Sequence, residues 1–316
     1  MCKKLTLIIL IFISAFPKGS SLQAQTKLEG RITLSGAFAL YPMAVKWSEE
    51  FRKLHPEVTI DISAGGAGKG ITDALGGMVD LGMVSREIYP EETKNGAFPF
   101  SVVKDAVVPV VSEANPNLQE LLKHGLKKDA GNHIWISGLY KSWNQIVRSA
   151  TSVPIHVYTR SDACGAAEVW AKYFGKKQED LLGSGVFGDP GLALAVKKDK
   201  LGIGFNNIGY AYDHTTKKQV SGIRVLPLDI NNNGVIDPEE NFYDTMDQLI
   251  EAIAAGKFPS PPARELFLVS KGKPQKAIVT EFIRWILSDG QKYVYETGYI
   301  ALPKEKLAIE VKKLNP

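Results

Sequence analysis

Apolar residues change their spacing along this chain in a regular way. Residues 32–35 predict a short strand. Over residues 41–55, Ala44, Trp47, Phe51 and Leu54 recur along one face with a period of about 3.6, which predicts a helix. Pro42 starts that helix, and His55 and Pro56 close it. Val58, Ile60 and Ile62 then alternate with Thr59, Asp61 and Ser63, the pattern of a strand with one buried face. A glycine-rich loop, 64–70, feeds a helix through Leu75, and 79–84 is the next strand. The succession is β-α-β-α-β, a right-handed crossover unit by the usual chirality of parallel strands.

Further on, the apolar segment DAVVPVV, 105–111, suits a buried strand leaving a first lobe. A helix starts after Asn115 and Pro116 and covers 118–122. Residues 155–158 form a strand, followed by the loop RSDACGAAE and a helix over 166–174. Residues 225–228 read as a strand, 266–270 as a second buried apolar strand, and 278–287 as an amphipathic helix carrying Phe282, Trp285 and Ile286. The expectation is an α/β protein of two lobes joined by two strands. Its first lobe takes 25–108 and 262–316, and its second 109–261.

The start of the chain is of another kind. Lys3 and Lys4 precede an apolar run over 5–16 that is too short to span a bilayer, and Ala24 before Gln25 is the expected cleavage point of a secretory signal, 1–24. Cys2 would leave with it, and it lies ahead of the apolar run, where a lipid-anchored cysteine does not sit. Cys164 would then be the single thiol, with no internal disulfide. A periplasmic or secreted monomer is expected. Composition adds little: 38 Lys and Arg against 34 Asp and Glu give a net charge of +4, no electrostatic case for nucleic acid.

Three glycine-rich turns, SGAFALYP (35–42), SAGGAGKG (63–70) and RSDACGAAE (160–168), each lie between a predicted strand and a predicted helix. Unpaired N–H groups at a helix start attract anions, and glycine permits close approach. One such turn is an ordinary connection, whereas three converging would make an anion cage. Gly36, Ala37, Phe38, Ala67, Gly68, Ser85, Cys164, Gly165 and Ala166 are its candidate wall. Arg86 and Arg160 each end a strand, and a guanidinium offers fixed donors to an oxyanion. The bland reading pairs them with Glu87 or Asp162, and Asp162 could equally orient Arg160. Cys164 as a nucleophile lacks a placed acid–base partner, so no enzyme is expected.

DINNNGVIDPEE, 229–240, sets Asp229, Asn231, Asn233, Val235, Asp237 and Glu240 at the ligand positions of a calcium loop, with Gly234 at the sharp turn. The competing reading is a solvated acidic turn. No flanking helix pair precedes Asp229, so a structural calcium clamp is expected instead of a sensor.

SGAFALYPMAVKW, SAGGAGKGI, DLGMVSREI, SGLYKSWNQI, RSDACGAAEVW, GIGF with GYAY, and GQKYVYETGYIALP follow one another along nearly the whole chain. In this the chain resembles the extracytoplasmic phosphate-binding proteins of phosphate ABC importers. The resemblance implies a type II periplasmic-binding-protein fold with two hinge strands. It also implies a phosphate or related oxyanion clamped between the lobes and a membrane permease as partner. It further implies hydroxyl donors where this chain has Ala37, Phe38, Ala39, Ala67, Cys164 and Ala166, and an acid near the place of Arg86. The missing hydroxyls leave open a second reading, a sensory or surface module that has lost transport.

Overall fold

The computed structural model describes residues 28–315, so the expected signal segment lies outside the described residues. Strand β1 (Gly30–Gly36), helix α1 (Tyr41–Leu54), strand β2 (Val58–Ala64), helix α2 (Ala67–Leu75) and strand β3 (Leu81–Val84) form the crossover unit that the alternation predicts. Ile32 lies opposite Ile60 and Ser35 opposite Gly82, both in parallel register. Pro42 suits the first turn of α1, and Met43, Trp47 and Phe51 form its buried stripe. The Phe51 ring meets Phe282 at 5.0 Å and Trp285 at 5.5 Å, edge to face.

After helix α3 (Pro90–Lys94), strand β4 (Ala97–Ser112) begins well before Asp105, where the apolar pattern had placed its start. Helix α4 (Leu118–His124), strand β5 (Leu126–Lys127), helix α5 (Lys128–Trp135), strand β6 (His156–Arg160) and helix α6 (Gly165–Tyr173) follow. Next come strand β7 (Ser184–Val186), helix α7 (Gly188–Lys198), strand β8 (Gly202–Asn207), helix α8 (Ile208–Ala211), strands β9 (Ile223–Val225) and β10 (Leu228–Asp229), and helix α9 (Met246–Ala254). The single strand expected over 225–228 is thus two: Pro227 has no N–H for a ladder, β9 pairs with β4, and β10 turns to β5. The chain returns through strand β11 (Ala263–Lys271) and helices α10 (Ala277–Ile286) and α11 (Lys304–Lys312).

One nine-stranded sheet runs β2-β1-β3-β11-β4-β8-β6-β7, with β9 on β4. Its middle pair, β4 and β11, are antiparallel and serve two apolar cores. Trp47, Phe51, Phe100 and Phe282 belong to one core; Trp135, Trp170, Phe205 and Tyr243 belong to the other. The cores divide between Val103 and Ala106 on β4, and between Ala263 and Leu266 on β11. A register shift between Leu266 and Phe267 interrupts the β4–β11 ladder close to that division. The two strands therefore cross between lobes, and whatever the lobes face each other with lies beside them.

Candidate functional site

The three glycine-rich turns meet between the lobes. Gly65 and Gly66 donate their N–H groups to the Gly36 carbonyl at 2.8 and 3.1 Å, which ties the second turn to the first. Gly66 has φ +90°, a left-handed conformation that turns the chain into α2. Across the cleft the Gly68 N–H donates to the Ala163 carbonyl at 3.1 Å. Gly165 opens α6 against Ser85, so closely that a Cβ there would lie 2.2 Å from the Ser85 carbonyl oxygen. Cys164 caps α6, its sulfur accepting from the Ala167 N–H at 3.4 Å. Ala37, Ala67 and Ala166 are buried beside these turns. The Phe38 ring reaches the opposite lobe, 5.6 Å from the Arg160 guanidinium and 5.9 Å from the Phe187 ring. Tyr210 donates its hydroxyl to the Phe38 carbonyl at 3.2 Å.

Arg160 is wholly enclosed at the end of β6. Its Nε and Nη2 donate to the two Asp162 oxygens at 2.8 and 2.7 Å, and its Nη1 donates to Asp189 at 2.6 Å. The Asp162 pairing was legible in the sequence, but Asp189 was not. Asp189 sits in the first turn of α7 and takes the Asn207 side-chain amide at 2.7 Å on its other oxygen. Burial works against the guanidinium charge, and Asp189 and Asp162 more than offset it. The Cys164 thiol is pushed up to about 12 by burial, which Arg160 only partly opposes. Burial thus disfavours the thiolate form that a cysteine nucleophile uses.

Arg86 is the other expected charge partner for the anion. Its guanidinium is instead engaged by protein on every side. It forms two bonds to Glu92, at 2.9 and 2.6 Å, and one to the Glu87 carbonyl at 2.8 Å. Its Nε lies 3.2 Å from Glu168 of α6, and the Tyr89 ring stacks on it at 4.1 Å. Gly68, Arg86, Tyr89, Cys164, Glu168 and Lys177 border a hollow of about 680 Å³ at the cleft mouth.

At the crossing strands Arg264 faces Asp105, Nη1 to Oδ2 3.5 Å, and neither of those atoms has a hydrogen-bond partner. Arg264 also donates from Nε to the Ser85 carbonyl at 3.3 Å and from Nη2 to Asn207. Burial pushes the Asp105 carboxyl up to about 6, against the pull of Arg264. A polar chain therefore runs from Arg160 through Asp189, Asn207 and Arg264 to Ser85 of the first lobe.

The 229–240 loop stands apart, docked by the His124 Nδ1 contact with the Gly234 carbonyl at 2.6 Å. Gly234 has φ +91°, as the sharp turn requires. Glu240 accepts from the Ile230 and Asn231 N–H groups at 2.8 Å, and Asp237 accepts from the Asn231 and Asn233 amides at 2.8 Å. Asp229 accepts from the Gly234 N–H at 2.7 Å, and the Val235 N–H donates to Asn233. The expected ligand residues thus share one loop, but their oxygens face internal donors. Among the described residues no three His, Cys, Asp or Glu side chains gather to hold an ion.

A family model described as a PBP superfamily domain matches residues 21–290. The phosphate-binding protein PstS of Staphylococcus haemolyticus is 25% identical over 306 residues, covering 94% of this chain and 89% of its own. A Clostridium perfringens protein crystallised with bound phosphate superposes with a TM-score of 0.70 at 21% identity, over 87% of this chain and 100% of its own. An ABC-type phosphate transport receptor of Vibrio cholerae superposes at 0.62 and 20% identity, over 86% of this chain and 100% of its own. These two likenesses show the fold, the two-lobe α/β architecture with paired crossing strands.

Proposed function

The chain belongs to the PBP superfamily, and from that premise we propose that it is an extracytoplasmic solute-binding protein for phosphate or a related oxyanion, serving an ABC importer. The observation that carries this reading is the meeting of α2 and α6, N-terminus to N-terminus, beside the buried Arg160. Helix starts present N–H donors and positive dipole ends to an anion. Arg160 is already balanced by Asp162 and Asp189, so it orients the site while backbone donors bear most of the recognition. With Ala37, Ala67, Cys164 and Ala166 in place of hydroxyl residues, each absent bond to a charged ligand lowers affinity by about 1.5 to 3 kcal/mol. Isothermal titration against phosphate, sulfate, arsenate and methylphosphonate tests the reading. Heat with phosphate or arsenate is expected, and no heat with any of the four would sink it.

The 229–240 loop we assign to calcium as a structural clamp. The support is its residue pattern and its turn at Gly234; the ion would replace the amide donors that now occupy Asp237. A cation that binds only the folded loop raises stability by mass action. Thermal unfolding should have a higher midpoint in millimolar calcium than in EGTA, with the difference erased in Glu240→Ala. Equal midpoints for the unmutated protein would reduce the loop to a hydrogen-bonded turn.

A further inference from the structure

Side chains from both lobes meet at the cleft mouth. Glu168 of α6 lies 3.2 Å from Arg86 Nε, and the Tyr89 ring stacks on the same guanidinium. Lys172, one turn on, pairs with Glu87 at 2.7 Å. Arg86 is itself fixed by the two-bonded Glu92 of its own lobe, so Glu168 meets a guanidinium already held in place. Beneath these groups the backbones touch. The approach of Gly68 to Ala163 and of Gly165 to Ser85 leaves no room for a side chain at either glycine. Neither glycine has a positive φ, so what these positions require is the absence of a Cβ, not special backbone freedom. The sequence is therefore cut to fit this closed approach, and all these contacts are made by the chain with itself.

A ligand moves an open–closed equilibrium only by its differential affinity for the two states. An anion that finds methyl groups and a thiol at Ala37, Ala67, Ala166 and Cys164 makes fewer bonds that bridge the lobes, so closure needs another source. We propose that Glu168, with Arg86 and Tyr89, is an interlobe clamp that closes the cleft before the anion arrives, and that Glu168 is thereby a positioning residue for capture. Its part in capture rests on the oxyanion reading of the cleft; the clamp does not. Burial raises the Glu168 carboxyl above its ordinary range, opposed by Tyr89, Arg86 and Lys172 and assisted by Glu92. Its contact with Arg86 is an ion pair at 3.2 Å, so a glutamine, which keeps the shape and loses the charge, should hold the clamp less well.

Small-angle scattering of the mature protein in buffer free of phosphate and sulfate tests the clamp. The unmutated protein should scatter as the closed form, Glu168→Ala as an expanded one, and Glu168→Gln between the two. Gly165→Ala gives a second route. Alanine favours α6 itself but collides with Ser85, so this variant should also expand. Titrated with phosphate, Glu168→Ala should bind roughly tenfold more weakly than the unmutated protein. An unmutated protein already expanded in that buffer overturns the clamp, as does a Glu168→Ala profile identical to the closed one. Closed scattering that opens in Glu168→Ala, together with no heat on phosphate addition, would remove the oxyanion reading and leave the clamp standing.

Discussion

Arg160 and Arg86 come from alike sequence settings, each at a strand end facing the cleft, and the fold uses them in opposite ways. Arg160 draws both carboxylates from its own lobe, Asp162 two residues on and Asp189 from α7, and its side chain has no exposed surface. Arg86 draws Glu92 from its own lobe and Glu168 from the other. The first can keep both its carboxylates when the lobes part, while the second must give one up. A guanidinium at such a position is a fixed strut or a moving joint according to which lobe supplies its acids. That supply is set by tertiary structure and not by the local motif.

Two substitutions sharpen the contrast. Asp189→Ala should have the larger effect, a loss of about 3 to 5 kcal/mol in urea unfolding, because it leaves an enclosed guanidinium partly uncompensated and frees the Asn207 amide. An unfolding midpoint equal to that of the unmutated protein would mean that Asp162 alone suffices and that Arg160 is no strut. Glu92→Ala should be milder, about 1 to 2 kcal/mol, since Arg86 keeps Glu168 and the Glu87 carbonyl. Burial acts to raise the Glu92 pKa, but Arg86 and the Tyr89 N–H leave it below its ordinary value. Its stabilisation is therefore present above the ordinary carboxylate range and fades as pH falls through the lowered folded value. The gap between Glu92→Ala and the unmutated protein should narrow in acid; a gap that widens there would contradict the assignment.

Much of the first lobe was legible because its strands alternate and α1 carries a single apolar stripe. The second lobe hid more. α7 opens with the sequence GDPG and β8 with GIGF, where glycine and proline blur both periods, and β8 is buried throughout, so it shows no alternation. β4 runs longer than its apolar core suggests because its first half holds Pro99 and the less buried Phe98. Of the candidate site, the meeting of the three turns could be anticipated from their shared place between strand and helix. The partners of Arg86 could not. Glu92 and Glu168 lie in helical segments whose exposed-looking charges carry no mark of pairing, and only the approach of α6 to the end of β3 brings them together.

The order of strands also bears on how the chain acquires its fold. β3 pairs with β11, Val84 opposite Phe267, so the first lobe's part of the sheet cannot be completed until the whole second lobe has been made. Closing so long a loop is entropically costly and slow. A chain made amino-terminus first would hold β1, β2 and β3 as an unfinished edge until its last third appeared. Such a delay places the decisive folding step at the end of synthesis, when β11 reaches the waiting edge.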